Sequence, residues 1–184
     1  MDKSNPRVTR TKSYLKQAII ELLKTEPFEN ITIKAICEKA AVNRSTFYAY
    51  YTCPRDLIEE IEKDILSKLP DYNPGGNKPF IDSITPFMQY VKDNGDTLSI
   101  LLYSSADTTF GEQIVSAVMD KYNEFMSYTD PDEQALNFIF CINGVVGIVK
   151  EWIHSGYKWS VERISNFIVD MAFRSVGMNP SEQK

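Results

Sequence analysis

The 184-residue sequence is poor in the residues that build metal and disulfide sites. It has one histidine and three cysteines, Cys37, Cys53 and Cys141, far apart and with no C-x-x-C pair. Zinc and disulfide frameworks therefore lack the ligands they need, and a reducing cytoplasm is the simplest setting for the thiols. There is no G-x-S-x-G, no glycine-rich phosphate loop and no evident catalytic pair of carboxylates, so neither enzyme chemistry nor a cofactor is expected. β-Hairpin signals and internal repeats are missing too. The first ten residues carry Asp2, Lys3, Arg7 and Arg10 and lack the apolar run of a secretory signal. Residues 135–153 are apolar enough to raise the question of a membrane span, but they contain Asn137, Asn143, Lys150 and Glu151. Charges inside a span are costly, so no membrane partner is expected.

What is present describes a soluble globular chain: 43% hydrophobic and 24% charged residues, with eight glycines and nine prolines. A chain of this length buries roughly 70% of the surface it exposes when unfolded and needs no staple. The net charge of −5 hides an asymmetry. Residues 1–55 hold ten Lys/Arg against five Asp/Glu, and residues 56–184 hold ten against twenty. A basic head on an acidic body is expected if only the head meets a polyanion.

The periodicity is helical throughout. Leu15, Ala18, Ile19, Leu22 and Leu23 predict an amphipathic helix over 8–24, ended by Pro27. Thr32 is placed to cap a second helix with Ile33, Ile36, Cys37 and Ala40 on one face, which makes Cys37 a core residue. Asn43 can cap a short third helix over 44–50 that turns Phe47 inward. Pro54 opens a fourth, with an apolar stripe from Leu57 to Leu69. Residues 70–79 hold three Pro, two Gly and two Asn and predict a linker. Helices are predicted again over 80–92, 97–103 and 111–126, then from Asp130-Pro131 to His154 with Gly156 as its stop, and finally after Ser160. The chain reads as all-α, with about nine helices in two parts: 1–69, and 80–184 beyond the linker.

Residues 33–52 are two helices joined by a short turn, preceded by a supporting helix, in the basic third of the chain. That is the helix-turn-helix arrangement, whose second helix enters the DNA major groove. Thr32-Ile33-x-x-Ile36, Ala40-Ala41-Val42-Asn43, Thr46-Phe47-Tyr48 and Tyr50-Tyr51, ahead of Leu57, resemble the DNA-binding domain of the TetR family of bacterial transcriptional regulators over about residues 8–60. Gly144-Val145-Val146-Gly147 through Trp152-Ile153-x-x-Gly156 looks like the regulatory domains common in its Firmicutes members. The resemblance implies that Thr32 holds a backbone phosphate, that Asn43, Arg44, Ser45 and Thr46 face the groove, and that Tyr48 and Tyr50 clamp phosphates. The chemistry is compatible. Arginine forks onto guanine, asparagine caps a helix or reads adenine, and tyrosine hydroxyls donate to phosphate. Tyr48 is read as touching the DNA backbone, with packing as the alternative, and Tyr51 as core.

Two positions depart from the family pattern. Ala41 stands where a turn glycine is usual, which costs on the order of 1 kcal/mol if the left-handed geometry is kept; a slightly different turn is the other outcome. Pro54 stands where many members have a phosphate-gripping lysine, and Arg55 is the nearest substitute.

In the remainder, Met88, Tyr103, Phe110, Met119, Tyr122, Phe125, Met126, Phe138 and Trp152, with Asn143 as a polar group, are candidates to line an apolar effector cavity, which the resemblance also implies. Core packing is the plainer role for each. The helix over 135–153 is apolar nearly all round and needs a partner outside its own domain. Gly144, Gly147 and Ile148, with Ile164, Phe167, Ile168 and Met171 of the last helix, are expected to form a two-fold homodimer interface, the four-helix arrangement that the family uses. The expected function is a cytoplasmic regulator, most often a repressor, that binds a palindromic double-stranded DNA operator and is released by a small-molecule effector. The alternative is an interaction module or co-activator without operator binding.

Overall fold

A computed structural model describes residues 6–69, 81–103, 109–123 and 130–175. Among these the fold is all-helical: α1 (Pro6–Leu23), a 3-10 turn (Phe28–Asn30), α2 (Ile33–Lys39), α3 (Arg44–Tyr48), α4 (Pro54–Leu66), α5 (Ile81–Asp93), α6 (Gly95–Tyr103), α7 (Phe110–Asn123), α8 (Pro131–His154) and α9 (Val161–Ser175). The predicted linker over 70–79 lies outside the described residues, as do the side chains beyond 116 in α7. The helices fall into two compact units, α1 to α4 and α5 to α9, with Tyr103 at the end of α6 counting with the first.

In the first unit α1 packs on α2 and α4, and α2 on α3. Leu15, Ile19, Ile36, Phe47, Leu57 and Ile58 are fully enclosed, and each contributes about 1.5 to 3 kcal/mol of transfer free energy. Cys37 belongs to this core, and burial pushes its thiol pKa up, which keeps it an inert hydrophobe. Helix α3 is shorter than the pattern predicted. Its end tightens after Tyr48, where the N–H of Tyr50 donates to the Phe47 carbonyl three residues back.

In the second unit α5 packs on α9, α7 on α8, and α8 on α9. Pro86 sits inside α5 on its exposed side, a break in the helical rule that the periodicity alone did not register. Helix α8 stops as predicted. The N–H of Gly156 donates to the Ile153 carbonyl and that of Tyr157 to the Trp152 carbonyl, with Gly156 at φ +69°. This is the paired reverse hydrogen bonding of a left-handed helix stop, and the Trp152 and Tyr157 rings meet edge to face at 5.0 Å across it. Ser160 caps α9, its Oγ accepting the Arg163 N–H at 3.2 Å.

Candidate nucleic-acid interface

The turn between α2 and α3 decides how the third helix is presented. Thr32 Oγ1 accepts the Ala35 N–H at 3.1 Å, so the hydroxyl proton remains free for an outside acceptor at the start of α2. At the other end of α2 the N–H of Ala41 donates to the Glu38 carbonyl and that of Val42 to the Cys37 carbonyl, while Ala41 holds φ +53°. This is the same left-handed stop as at Gly156, built on alanine. The departure at Ala41 has therefore not altered the turn, and the left-handed geometry is retained with its strain.

The side chain of Asn43 does not cap α3: it is exposed and makes no hydrogen bond to the helix. The sequence allowed capping or base reading, and its amide is left with both donor and acceptor available. Arg44 and Ser45 are exposed beside it and Thr46 is half-buried. Phe47 faces the opposite way, fully buried, its ring 5.8 Å from Tyr48 and 5.6 Å from Tyr51. This one anchor sets the outer face of α3, and Tyr48 is 59% exposed on it. Tyr50 is half-buried, whereas Tyr51 is core, its hydroxyl buried beside Glu60. Burial, and then the charge of Glu60, push the Tyr51 phenol pKa well up, so it stays neutral.

Helix α4 opens with Cys53 at its cap position and Pro54 in its first turn. The Asp56 carboxylate accepts the Thr52 N–H at 2.6 Å and the Cys53 N–H at 3.3 Å, and the thiol of Cys53 donates to it at 3.4 Å. The backbone N–H of Thr52 contributes most to holding the Asp56 pKa below the usual carboxylate value. Arg55 is half-buried and pairs with Glu59 at 3.7 Å.

A charged clasp between α1 and α4 was not anticipated from the sequence. Lys12 Nζ lies 2.9 Å from Glu60 Oε2, and Lys16 Nζ lies 2.7 Å from Glu60 Oε1 and 2.6 Å from Asp64 Oδ2. Lys12 Nζ is also 5.8 Å from the Tyr50 ring centre and 5.4 Å from that of Tyr51. Burial alone would raise the Glu60 pKa and lower that of Lys16. The ion pairs outweigh it, so Glu60 is held below, and Lys16 above, its ordinary value. The signal was legible as two complementary i, i+4 pairs, Lys12/Lys16 and Glu60/Asp64, on helices that had to meet.

In the second unit the residues expected to line one cavity are dispersed. Met88 and Phe110 are fully buried in the core, Trp152 is buried with Nε1 donating to the Trp159 carbonyl at 2.9 Å, and Phe138 is half-buried. Tyr103, which counts with the first unit, is 55% exposed. Asn143 is exposed, its amide donating to the Ile139 carbonyl of its own helix. The side chains of Met119 and Tyr122, and all of Phe125 and Met126, lie outside the described residues. A small void of about 20 Å³ lies between α5, α6, α7 and α8, enclosed by apolar side chains that include Phe87, Leu102, Ile114 and Val146. A larger open groove of about 580 Å³ runs between α8 and α9. It is lined by Asn143, Gly144, Gly147, Ile148 and Trp152 on α8, by Ile164 and Phe167 on α9, and by Trp159 between them. Its neighbourhood is apolar and uncovered: Leu136, Ile139, Phe140, Phe167 and Met171 are all exposed, whereas Ile168 is buried in the unit's own core.

A capped helix, a left-handed turn and a short helix with a polar outer face, joined to a separate all-helical unit, define a DNA-binding transcriptional regulator of the helix-turn-helix class. Residues 16–61 match the family described as bacterial regulatory proteins of the tetR family, and residues 80–174 match a transcriptional regulator C-terminal region of the same group. The chain belongs to the TetR family of transcriptional regulators. It is similar to the uncharacterized HTH-type transcriptional regulator YxbF of Bacillus subtilis (strain 168), 39% identical over 51 residues. That match takes in 28% of this chain and 13% of the relative's length. Among solved structures, the fold is shared with a TetR transcriptional regulator from Streptococcus agalactiae 2603V at 22% identity and TM-score 0.72, over 90% of this chain and 95% of that one. It is also shared with the fatty acid degradation regulator FadR from Bacillus halodurans at 13% identity and TM-score 0.57, over 93% and 96% of the two chains.

Proposed function

We propose that the chain is a cytoplasmic repressor that binds a palindromic operator as a homodimer and is released by an apolar small molecule. Residues 1–69 carry the DNA and residues 80–184 the effector and the partner copy. The observation that carries this reading is the outer face of α3, where Asn43, Arg44, Ser45 and Tyr48 are exposed around the buried Phe47. Arg44 is assigned to guanine edges, Asn43 and Ser45 to neighbouring bases or phosphates, Thr46 to the groove wall, and Thr32, Tyr48 and Tyr50 to phosphates. Arg55 is a phosphate ligand only if it leaves Glu59.

The uncovered face of α8 and α9 supports the dimer. Gly144 and Gly147 have open space where a side chain would stand, and large apolar groups flank them, so a second copy can approach closely. The effector reading is supported by the apolar void among α5 to α8. At about 20 Å³ it holds no more than a water-sized body, so an effector must spread these helices to enter. That displacement is the means by which binding is coupled to the DNA-binding unit, at ~1 to 3 kcal/mol in ordinary allostery. Of the two departures from the family pattern that leave room for the co-activator alternative, Ala41 keeps the turn, and Pro54 alone remains in its favour.

The test is fluorescence anisotropy against DNA from upstream of the gene, with a scrambled duplex as control, across a salt series and beside sedimentation analysis. Selective, steeply salt-dependent binding by a dimer is the expected result. Failure to discriminate across a full genomic selection, or a stable monomer at micromolar concentration, overturns the reading.

A further inference from the structure

We infer that Lys12 and Glu60 are positioning residues for DNA binding: they hold the Tyr50 phenol in place without touching DNA, so that an acidic side chain on α4 raises affinity for a polyanion. This deepens the reading of Tyr50 as a phosphate ligand and rests on it.

The argument starts from where the Lys12 charge is used. Its ammonium is 2.9 Å from a Glu60 oxygen and lies over two aromatic rings, 5.8 Å from the centre of Tyr50 and 5.4 Å from that of Tyr51. A lysine so placed is neutralised by its carboxylate and is not a free cation for phosphate. Its remaining attraction is for the faces of the rings. Tyr51 cannot respond, because it is buried against Phe47 at 5.6 Å. Tyr50 is half-buried, follows the last turn of α3, and meets Tyr51 at 6.4 Å ring to ring. Of the two rings under Lys12, Tyr50 is therefore the one whose orientation the cation decides.

Glu60 in turn fixes Lys12. It bridges Lys12 and Lys16 with its two oxygens, and Lys16 is held from the other side by Asp64 at 2.6 Å. The chain of contacts runs from α4 through Glu60 and Lys12 to the Tyr50 ring, entirely within the first unit. A shift of α4 along α1 would break it at Glu60.

The sign of the effect separates this inference from simple charge. Glu60→Gln makes the protein more positive, and electrostatics alone predicts tighter DNA binding. Positioning predicts weaker binding. Binding of a fluorescein-labelled duplex, recovered from a random library with the wild-type protein, is measured by anisotropy across a salt series. Folding of every variant is checked by circular dichroism.

Glu60→Gln and Lys12→Met are each expected to weaken binding by about fivefold to tenfold, the size of one lost ring–cation contact. Their combination should weaken it no further, because the two act as one unit. Lys12→Arg should keep binding, since guanidinium satisfies both the carboxylate and the ring. Asp64→Asn, the same charge change on the same helix but paired only with Lys16, should leave binding equal or tighter. The dependence of log affinity on log salt should keep its slope in Lys12→Met.

A loss of about one unit in that slope would make Lys12 a direct phosphate ligand and overturn the inference. So would Glu60→Gln binding as tightly as wild type. Tyr50→Phe separates the two levels of the argument. If it weakens binding while Glu60→Gln does not, the phosphate contact stands and the positioning is lost. If it has no effect, the contact and the positioning fall together.

Discussion

Ala41→Gly should stabilise the DNA-binding unit. Ala41 holds φ +53°, where a β-carbon crowds the following carbonyl and costs about 1 to 2 kcal/mol. Glycine removes that strain but gains freedom in the unfolded chain, which returns about 0.4 to 1 kcal/mol. The side chain is exposed, so losing its methyl forfeits little packing. The net is a stabilisation of about 0.5 to 1 kcal/mol, or about twofold to fivefold slower exchange of the core amides of α2 and α3. Tryptophan fluorescence would miss the change, because Trp152 and Trp159 both lie in the second unit. Hydrogen exchange read by mass spectrometry over 33–48 is the assay, and tryptophan-detected urea unfolding is the internal control that should not move. Gly156→Ala is the mirror experiment, since the same motif there uses glycine at φ +69°, and it should destabilise the second unit by a comparable amount. Exchange over 33–48 that is unchanged or faster in Ala41→Gly would refute the reasoning, because the strain assigned to the turn would not exist.

Other outcomes follow from the same contacts. Gly95→Ala puts a methyl where the Tyr157 hydroxyl stands, so the end of that half-buried ring must move aside and its packing on α6 is disturbed; a lowered Tm read by tryptophan fluorescence is expected, and a Tm equal to wild type would contradict it. Phe47→Ala removes the sole inward anchor of α3 and should cost about 3 to 5 kcal/mol, abolishing DNA binding while the tryptophan spectrum stays native. The Glu60 pKa lies below its unfolded value, so the stability it adds is complete above the ordinary carboxylate range and is lost as pH falls through the depressed folded value. Protection of the α1 and α4 amides, taken as exchange relative to the intrinsic rate at each pH, should therefore fall as the pH drops from about 5 towards 3, and less so in Glu60→Gln. Phe140→Asp places a charge on the uncovered face of α8 and should shift sedimentation from dimer to monomer without unfolding the chain.

Helix stops and faces were legible in the sequence because each rests on a few local residues: Thr32, Pro54, Gly156 and Ser160 act in the structure where the pattern placed them. Position 41 was legible only as a choice. A local rule disfavours alanine there, but the two reverse hydrogen bonds at the end of α2 hold the left-handed turn regardless. Asn43 was ambiguous for a similar reason, since capping and base reading use the same amide, and only the geometry shows the cap unmade. The charge asymmetry was read too generously. Residues 1–68, which belong to the first unit, hold twelve Lys/Arg against ten Asp/Glu, because the acids of α4 belong to it. The basic character of the head is thus a matter of arrangement: Lys12 and Lys16 are consumed by Glu60 and Asp64, and Lys39 by Glu21 at 3.1 Å. Pairings between distant helices decide this, and composition does not record them.

Helix α8 tests how far composition can go. It is long and apolar enough to cross a membrane by length and composition. A lipid-spanning helix must present apolar groups on every side that its partners leave uncovered. On one side α8 is tied to its own unit by polar contacts. Asn137 Nδ2 donates to the Ser175 carbonyl at 3.2 Å, and Trp152 Nε1 donates to the carbonyl of Trp159 in the α8–α9 connection. On the uncovered side, Asn143 and Glu151 are exposed in the same groove as Gly144 and Gly147. Lipid offers Glu151 no partner, whereas a second protein surface leaves it at a wet rim and gives the two glycines a close neighbour. The exposed apolar groups continue from Leu136, Ile139 and Phe140 of α8 onto Phe167 and Met171 of α9. A face shared by two helices, broken by a carboxylate and notched by glycines, supports the proposed second copy over a bilayer.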